Sequence, residues 1–123
     1  MNRVTKEIAI LLKEVGYDVP TNAYYIETYH KCHEISTPKN FNEVQFYISA
    51  PTVYECIEWL DSKGVYVVPI YVGLRPNGWG CRITFKNEQY SDDEFIREIK
   101  DTRLAAYTAG LPIAINHIKN KKG

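Results

Sequence analysis

The sequence predicts an α+β fold: an antiparallel sheet of three to five strands with helices packed on one face. Three stretches carry that prediction. Val4 to Val15 places apolar residues at helical spacing, and Pro51 to Lys63 reads as a capped helix. Val65 to Gly73 and Trp79 to Lys86 then read as two strands joined by a turn at Pro76, Asn77 and Gly78. With 123 residues the chain has length for one core and not for two, so a single domain, 1–123, is expected.

In the first helix Val4, Ile8, Leu11, Leu12 and Val15 form the apolar stripe, and Lys6, Glu7, Lys13 and Glu14 lie elsewhere around the cylinder. Gly16 stands where a helix turns left-handed to end, and Pro20 blocks continuation. Two short strands are expected at Ala23 to Tyr29 and Glu43 to Ile48, the second with Val44, Phe46 and Ile48 alternating against Gln45 and Tyr47. A polar loop, His30 to Asn42, is expected between them.

The central helix is the best specified element. Thr52 and Glu55 match a capping box, Val53, Cys56, Ile57 and Leu60 form the buried stripe, and Trp59 closes the edge of the core. Glu58, Asp61 and Lys63 face water, and Gly64 ends the helix. In the second strand after it, Trp79, Cys81, Ile83 and Phe85 alternate with Gly80, Arg82, Thr84 and Lys86, so one face is buried. The first strand is apolar on both faces, which suggests both are covered, yet Pro69 suggests an edge position or a bulge. Glu94 to Lys100 fits a third strand or a helical turn. Asp101 is expected to cap a last helix to about Ile118, lined by Leu104, Thr108, Leu111, Ile115 and Ile118, with Pro112 kinking or dividing it. The core is thus a central α-β-β-(β)-α unit plus the N-terminal helix.

Composition narrows the function only by exclusion. Lys+Arg 15 against Asp+Glu 15 leaves no net charge, which disfavours a strongly electrostatic nucleic-acid or membrane binder. Cys32, Cys56 and Cys81 are an odd number at wide spacing, which favours free thiols in a reducing cytoplasm over a disulfide framework. The charged N-terminus does not read as a signal peptide, and no apolar run is long enough to span a bilayer.

The chain resembles a loose group of small uncharacterised proteins carried by prophages and other mobile elements of gut Bacteroides-type bacteria. The resemblance is carried by Lys13-Glu14-Val15-Gly16-Tyr17-Asp18-Val19-Pro20, by Ser49-Ala50-Pro51-Thr52, by Glu58-Trp59-Leu60 and by the Ala- and Ile-rich stretch Leu104 to Ile118. It spans most of the chain through short motifs, structural in kind. Pro112 and the His/Cys-bearing loop depart from the pattern. What it implies is a mobile-element setting, without a mechanism.

Candidate chemistry is sparse. His30, Cys32 and His33 form the one metal-like cluster, but zinc needs three or four ligands and no second pair follows, so a polar surface loop is the better reading. Cys32 beside a histidine is a weak thiol nucleophile, because partners in such chemistry come from separate segments. Asp92, Asp93 and Glu94 fit capping and solvation better than paired catalytic carboxylates. No phosphate-binding glycine loop is present, and neither a metal nor a cofactor is expected.

The surface candidate is aromatic and basic. Among ten tyrosines, Tyr24, Tyr25, Tyr29, Tyr47 and Tyr66 are too many to bury with satisfied hydroxyls, and Arg75, Arg82 and Lys86 decorate the central hairpin near Trp79. A plainer reading lets the tyrosines fill a thin core with their hydroxyls at its rim, and amphipathic rings favour it. Three functions are weighed in order: a non-enzymatic interaction protein with a protein partner or as a homo-oligomer, a nucleic-acid-binding accessory protein using the hairpin, and a metal or thiol enzyme at residues 30–33. If Glu94 to Lys100 is a strand, the element order α-β-β-β-α is that of double-stranded-RNA-binding domains. The lysines that grip phosphate there reduce here to Lys100 and Arg103 beside Asp101.

Overall fold

The computed structural model describes residues 2–71, 78–85 and 94–122. Arg75, Lys86, Asp92, Asp93 and most of the Gly73-to-Gly78 turn lie outside the described residues. The elements run α1 (Lys6–Glu14), β1 (Thr21–Ile26), β2 (Tyr29–Lys39), a 3-10 turn (Phe41–Glu43), β3 (Tyr47–Ser49), α2 (Val53–Ser62), β4 (Val65–Tyr71), β5 (Trp79–Phe85), β6 (Glu94–Lys100) and α3 (Arg103–Lys122). The fold is α+β. Its strands form two antiparallel sheets rather than one, ordered β2-β1-β3 and β4-β5-β6.

Local chemistry sets the helix ends. Thr5 caps α1, its hydroxyl accepting from Ile8 N at 3.4 Å. The helix closes at Gly16, φ 88°, where Tyr17 N donates to Leu12 O at 3.0 Å in the left-handed exit that a β-carbon would disfavour. The capping box of α2 is complete: Glu55 N donates to Thr52 Oγ1 at 3.1 Å, and Thr52 N to Glu55 Oε1 at 2.8 Å. Thr102, not Asp101, caps α3, accepting from Ala105 N at 3.0 Å. Pro112 sits inside α3 without dividing it.

Packing joins the two sheets through the helices. The helix α3 lies against all three strands of the second sheet, α2 touches β4 and α3, and α1 bridges α3 to β3. One continuous core results, running from Val4, Leu12 and Tyr17 through Cys56 and Leu60 to Ile83, Leu111 and Ile115. In the second sheet Val65, Val67, Cys81, Ile83 and Phe85 face this core. The opposite face carries Val68, 43% exposed, so β4 is covered on one side only. The order β4-β5-β6 puts β4, and Pro69 with it, at the edge, where a missing N–H costs no ladder bond.

Residues 30 to 42 are a strand over most of their length instead of a loop. β2 pairs with β1 around a two-residue turn, Ile26 opposite Tyr29 and Tyr24 opposite His33, with register shifts along the way. Its polar composition is that of an edge strand with most residues in water. The expected strand from Glu43 is also displaced. Asn40 Oδ1 accepts from Asn42 N at 3.2 Å and starts the 3-10 turn, so only Tyr47–Ser49 is extended in a ladder with β1.

Candidate functional site

The first sheet turns one face to the core and the other outward. Thr21, Ala23 and Tyr25 of β1 are buried, while Asn22, Tyr24 and Ile26 alternate with them on the outer side. Tyr25 therefore belongs to the core: it is 7% exposed, and its hydroxyl donates to Val4 O at 2.7 Å. Burial is the main force pushing its pKa up, making the phenol a weaker acid.

Tyr24 is the centre of an aromatic ladder. Tyr47 of β3 stacks on one side, centroids 4.9 Å apart and planes 4° apart, and His33 of β2 stacks on the other at 5.2 Å and 19°. Tyr29 continues the row onto His33 at 5.7 Å, and Phe41 tilts against Tyr24 at 4.6 Å. These separations match the spacing of neighbouring strands, about 4.8 Å, so rings held in a row across the sheet meet face to face. Their faces are spent on one another. What the ladder offers outward is edges and hydroxyls, which suit hydrogen bonding to a protein surface better than stacking on a nucleobase.

At one end of the ladder sits the least expected residue. Phe46 is 55% exposed and holds φ at 71°, the only positive φ of a non-glycine residue among those described. A bulky side chain in that region is strained, and such strain concentrates at functional positions. The chain around it is locked by long-range bonds. Glu27 N donates to Phe46 O at 2.9 Å, and Lys13 Nζ to Tyr47 O at 2.7 Å. Lys6 Nζ donates to Glu27 O at 2.7 Å and Tyr29 O at 3.0 Å. Residues 6, 10 and 13 share one stripe of α1, so Ile10, 39% exposed, lies between the two lysines on that helix. Ile10, Phe46 and Tyr29, itself 42% exposed, are the exposed apolar side chains of the segments that these two lysines tie together.

The remaining candidates separate. Trp79 and Arg82 lie on the second sheet, and they alternate to opposite sides of β5. Trp79 holds Arg103 over its ring at 4.9 Å and meets Tyr71 edge-on at 5.4 Å, so it is tied to α3. Arg82 is exposed, and Tyr66 is half-buried on β4. Cys32 is partly buried against the core, whereas His33 stacks outward in the ladder, so the two cannot converge on one ion. Among the described residues no group of three His, Cys, Asp or Glu side chains could hold a metal.

The thiols are poor nucleophiles. Burial pushes Cys56 up to about 12 and Cys81 up to about 11. Cys32 is raised too, by burial first, with Arg3 opposing and Glu34 reinforcing. No described helix is long and apolar enough to cross a membrane.

Two features escaped the sequence reading. Phe46 was expected on a buried strand face, and nothing local announces its left-handed turn. Nothing local marks Arg3 either, because its partners, Ala50 and Glu55, are distant in the chain. No family model, curated protein or solved structure matches the chain.

Proposed function

We propose that the protein is a non-enzymatic interaction module that docks a protein partner on the Ile10, Phe46 and Tyr29 patch and the ladder edge beside it. The observation that carries this reading is Phe46, a large apolar side chain kept strained and more than half exposed. Exposed aromatics anchored on a rigid backbone are what binding hot spots consist of, since little entropy is lost on docking. Lys6 and Lys13 tie its segments together, so the complementary surface is an apolar socket rimmed with carboxylates. An accessory role in a mobile element is part of the proposal and stands on the short motifs of the resemblance.

Native mass spectrometry of untagged protein, purified gently from its own cells, tests it. The wild type is expected to carry a protein partner, or a second copy, that Phe46→Asp loses. A bare monomer in both cases contradicts the reading.

A second reading rests on β6. With that strand present, α2-β4-β5-β6-α3 has the element order of double-stranded-RNA-binding domains. Arg82, exposed on β5, would contact phosphate together with Arg75 and Lys86, which lie outside the described residues. Binding of a duplex RNA that weakens steeply with salt and is lost in Arg82→Glu supports it, and binding unchanged by that substitution refutes it.

A further inference from the structure

We propose that a second site, between the N-terminal segment and the start of α2, binds a zwitterionic α-amino acid, its carboxylate on Arg3 and its ammonium between Glu34 and Glu55. The pocket has a volume of about 440 Å³ and is lined by Arg3, Asn22, Glu34, Ile35, Thr52 and Glu55. None of its lining residues belongs to the proposed protein interface.

The backbone around Arg3 is fixed. Arg3 bridges to Thr52, Val4 N donates to Pro51 O at 3.0 Å, and Val53 N to Asn2 O at 2.8 Å. The Arg3 side chain is 10% exposed, and its Nη1 donates to Ala50 O at 3.1 Å and to Glu55 Oε1 at 3.5 Å. Its Nε is buried and has no hydrogen-bond partner. The Glu34 carboxylate stands 3.9 Å from Nε, too far to accept its proton, on a side chain that is 62% exposed and able to move aside. A buried guanidinium donor left unmade, on a residue that lines a pocket, becomes a place for an acceptor once Glu34 moves aside.

Charge selects that acceptor. Arg3 contributes one positive charge to the pocket and Glu34 and Glu55 two negative ones. A bare anion on Arg3 would face both carboxylates, and a bare cation beside the glutamates would face Arg3. A ligand carrying a carboxylate and an ammonium on adjacent atoms satisfies both sets. Its carboxylate takes the planar donor edge from which Glu34 stands off, and Glu34 turns to the ammonium. Water alone would need only about 30 Å³ and would not use the two carboxylates.

The test follows the side-chain Nε–H of Arg3 by nuclear magnetic resonance while leucine, glutamine and lysine are titrated, each also as its N-acetyl derivative and its methyl ester. At least one free amino acid is expected to shift the Arg3 signal and the amides of Thr52 and Glu55 saturably, with both blocked forms at least about tenfold weaker. Glu34→Ala is expected to narrow the gap between the free and N-acetyl forms, because it removes the competing carboxylate and half of the ammonium site. Arg3→Lys keeps the charge and is expected to lose binding, with its circular dichroism confirming the fold. No saturable shift by any free amino acid overturns the proposal. Equal binding of free and N-acetyl forms to the wild type overturns it as well.

Discussion

Phe46→Gly separates a residue kept for packing from one kept for contact. Three terms set the expected change in stability. Returning a φ of 71° to a residue without a β-carbon relieves about 1–2 kcal/mol. Glycine loosens the unfolded chain and gives back about 0.4–1 kcal/mol. The side chain is 55% exposed, so less than half of the ~1.5–3 kcal/mol of a buried phenylalanine is lost, roughly 1 kcal/mol. These nearly cancel, and a change within about 1 kcal/mol of zero is expected by urea unfolding at constant m-value. Phe41→Ala is the internal comparison, since Phe41 is 4% exposed and packs on Tyr24 at 4.6 Å. That substitution is expected to cost about 3–5 kcal/mol. Should Phe46→Gly cost as much as Phe41→Ala, Phe46 is a packing residue and the strained contact role is wrong.

Other substitutions probe the frame that holds the patch. Asn42 links three segments, donating from Nδ2 to Tyr17 O at 2.8 Å and accepting from Ser49 N at 2.9 Å. Asn42→Ala strands both partners and is expected to cost about 2–4 kcal/mol in urea unfolding, with Asn42→Asp losing less because the Ser49 bond survives. Tyr25→Phe removes the hydroxyl that donates to the buried Val4 carbonyl and is expected to cost about 1–3 kcal/mol by the same measurement. The buried Cys56 favours its neutral form, so stability is intact below the ordinary thiol value of 9.0 and falls as pH rises from there towards about 12. Unfolding curves across that window are expected to show a shallower fall in Cys56→Ala than in the wild type.

Much of the frame was legible because its signals are local. The capping box at Thr52 and Glu55, the stripe Val53, Cys56 and Leu60, and the alternation from Trp79 to Phe85 each depend on neighbours a few residues apart. The edge strand Tyr29–Lys39 was not legible, since a strand wet on most of its length loses the alternation that marks one face as buried. Splitting one sheet into two follows from the ladder partners of β1 and β5, which no local pattern encodes. The site was less visible still. Tyr24, Tyr25 and Tyr29 were all candidates from composition, and it takes the observed alternation of β1 to turn Tyr25 inward with Thr21 and Ala23. Phe46 and Arg3 owe their roles to bonds across the fold, from Glu27 in one case and to Ala50 in the other.

The most direct test of the docking surface is photo-crosslinking in living cells, with benzoylphenylalanine placed at position 46 and, as a control, at position 68. Val68 is also exposed, at 43%, but on the outer face of the other sheet. One discrete protein adduct from position 46, absent from position 68 and weakened by Tyr29→Ala, is the predicted result. No adduct at position 46, or the same adducts from both positions, would show that Phe46 does not mark an interface.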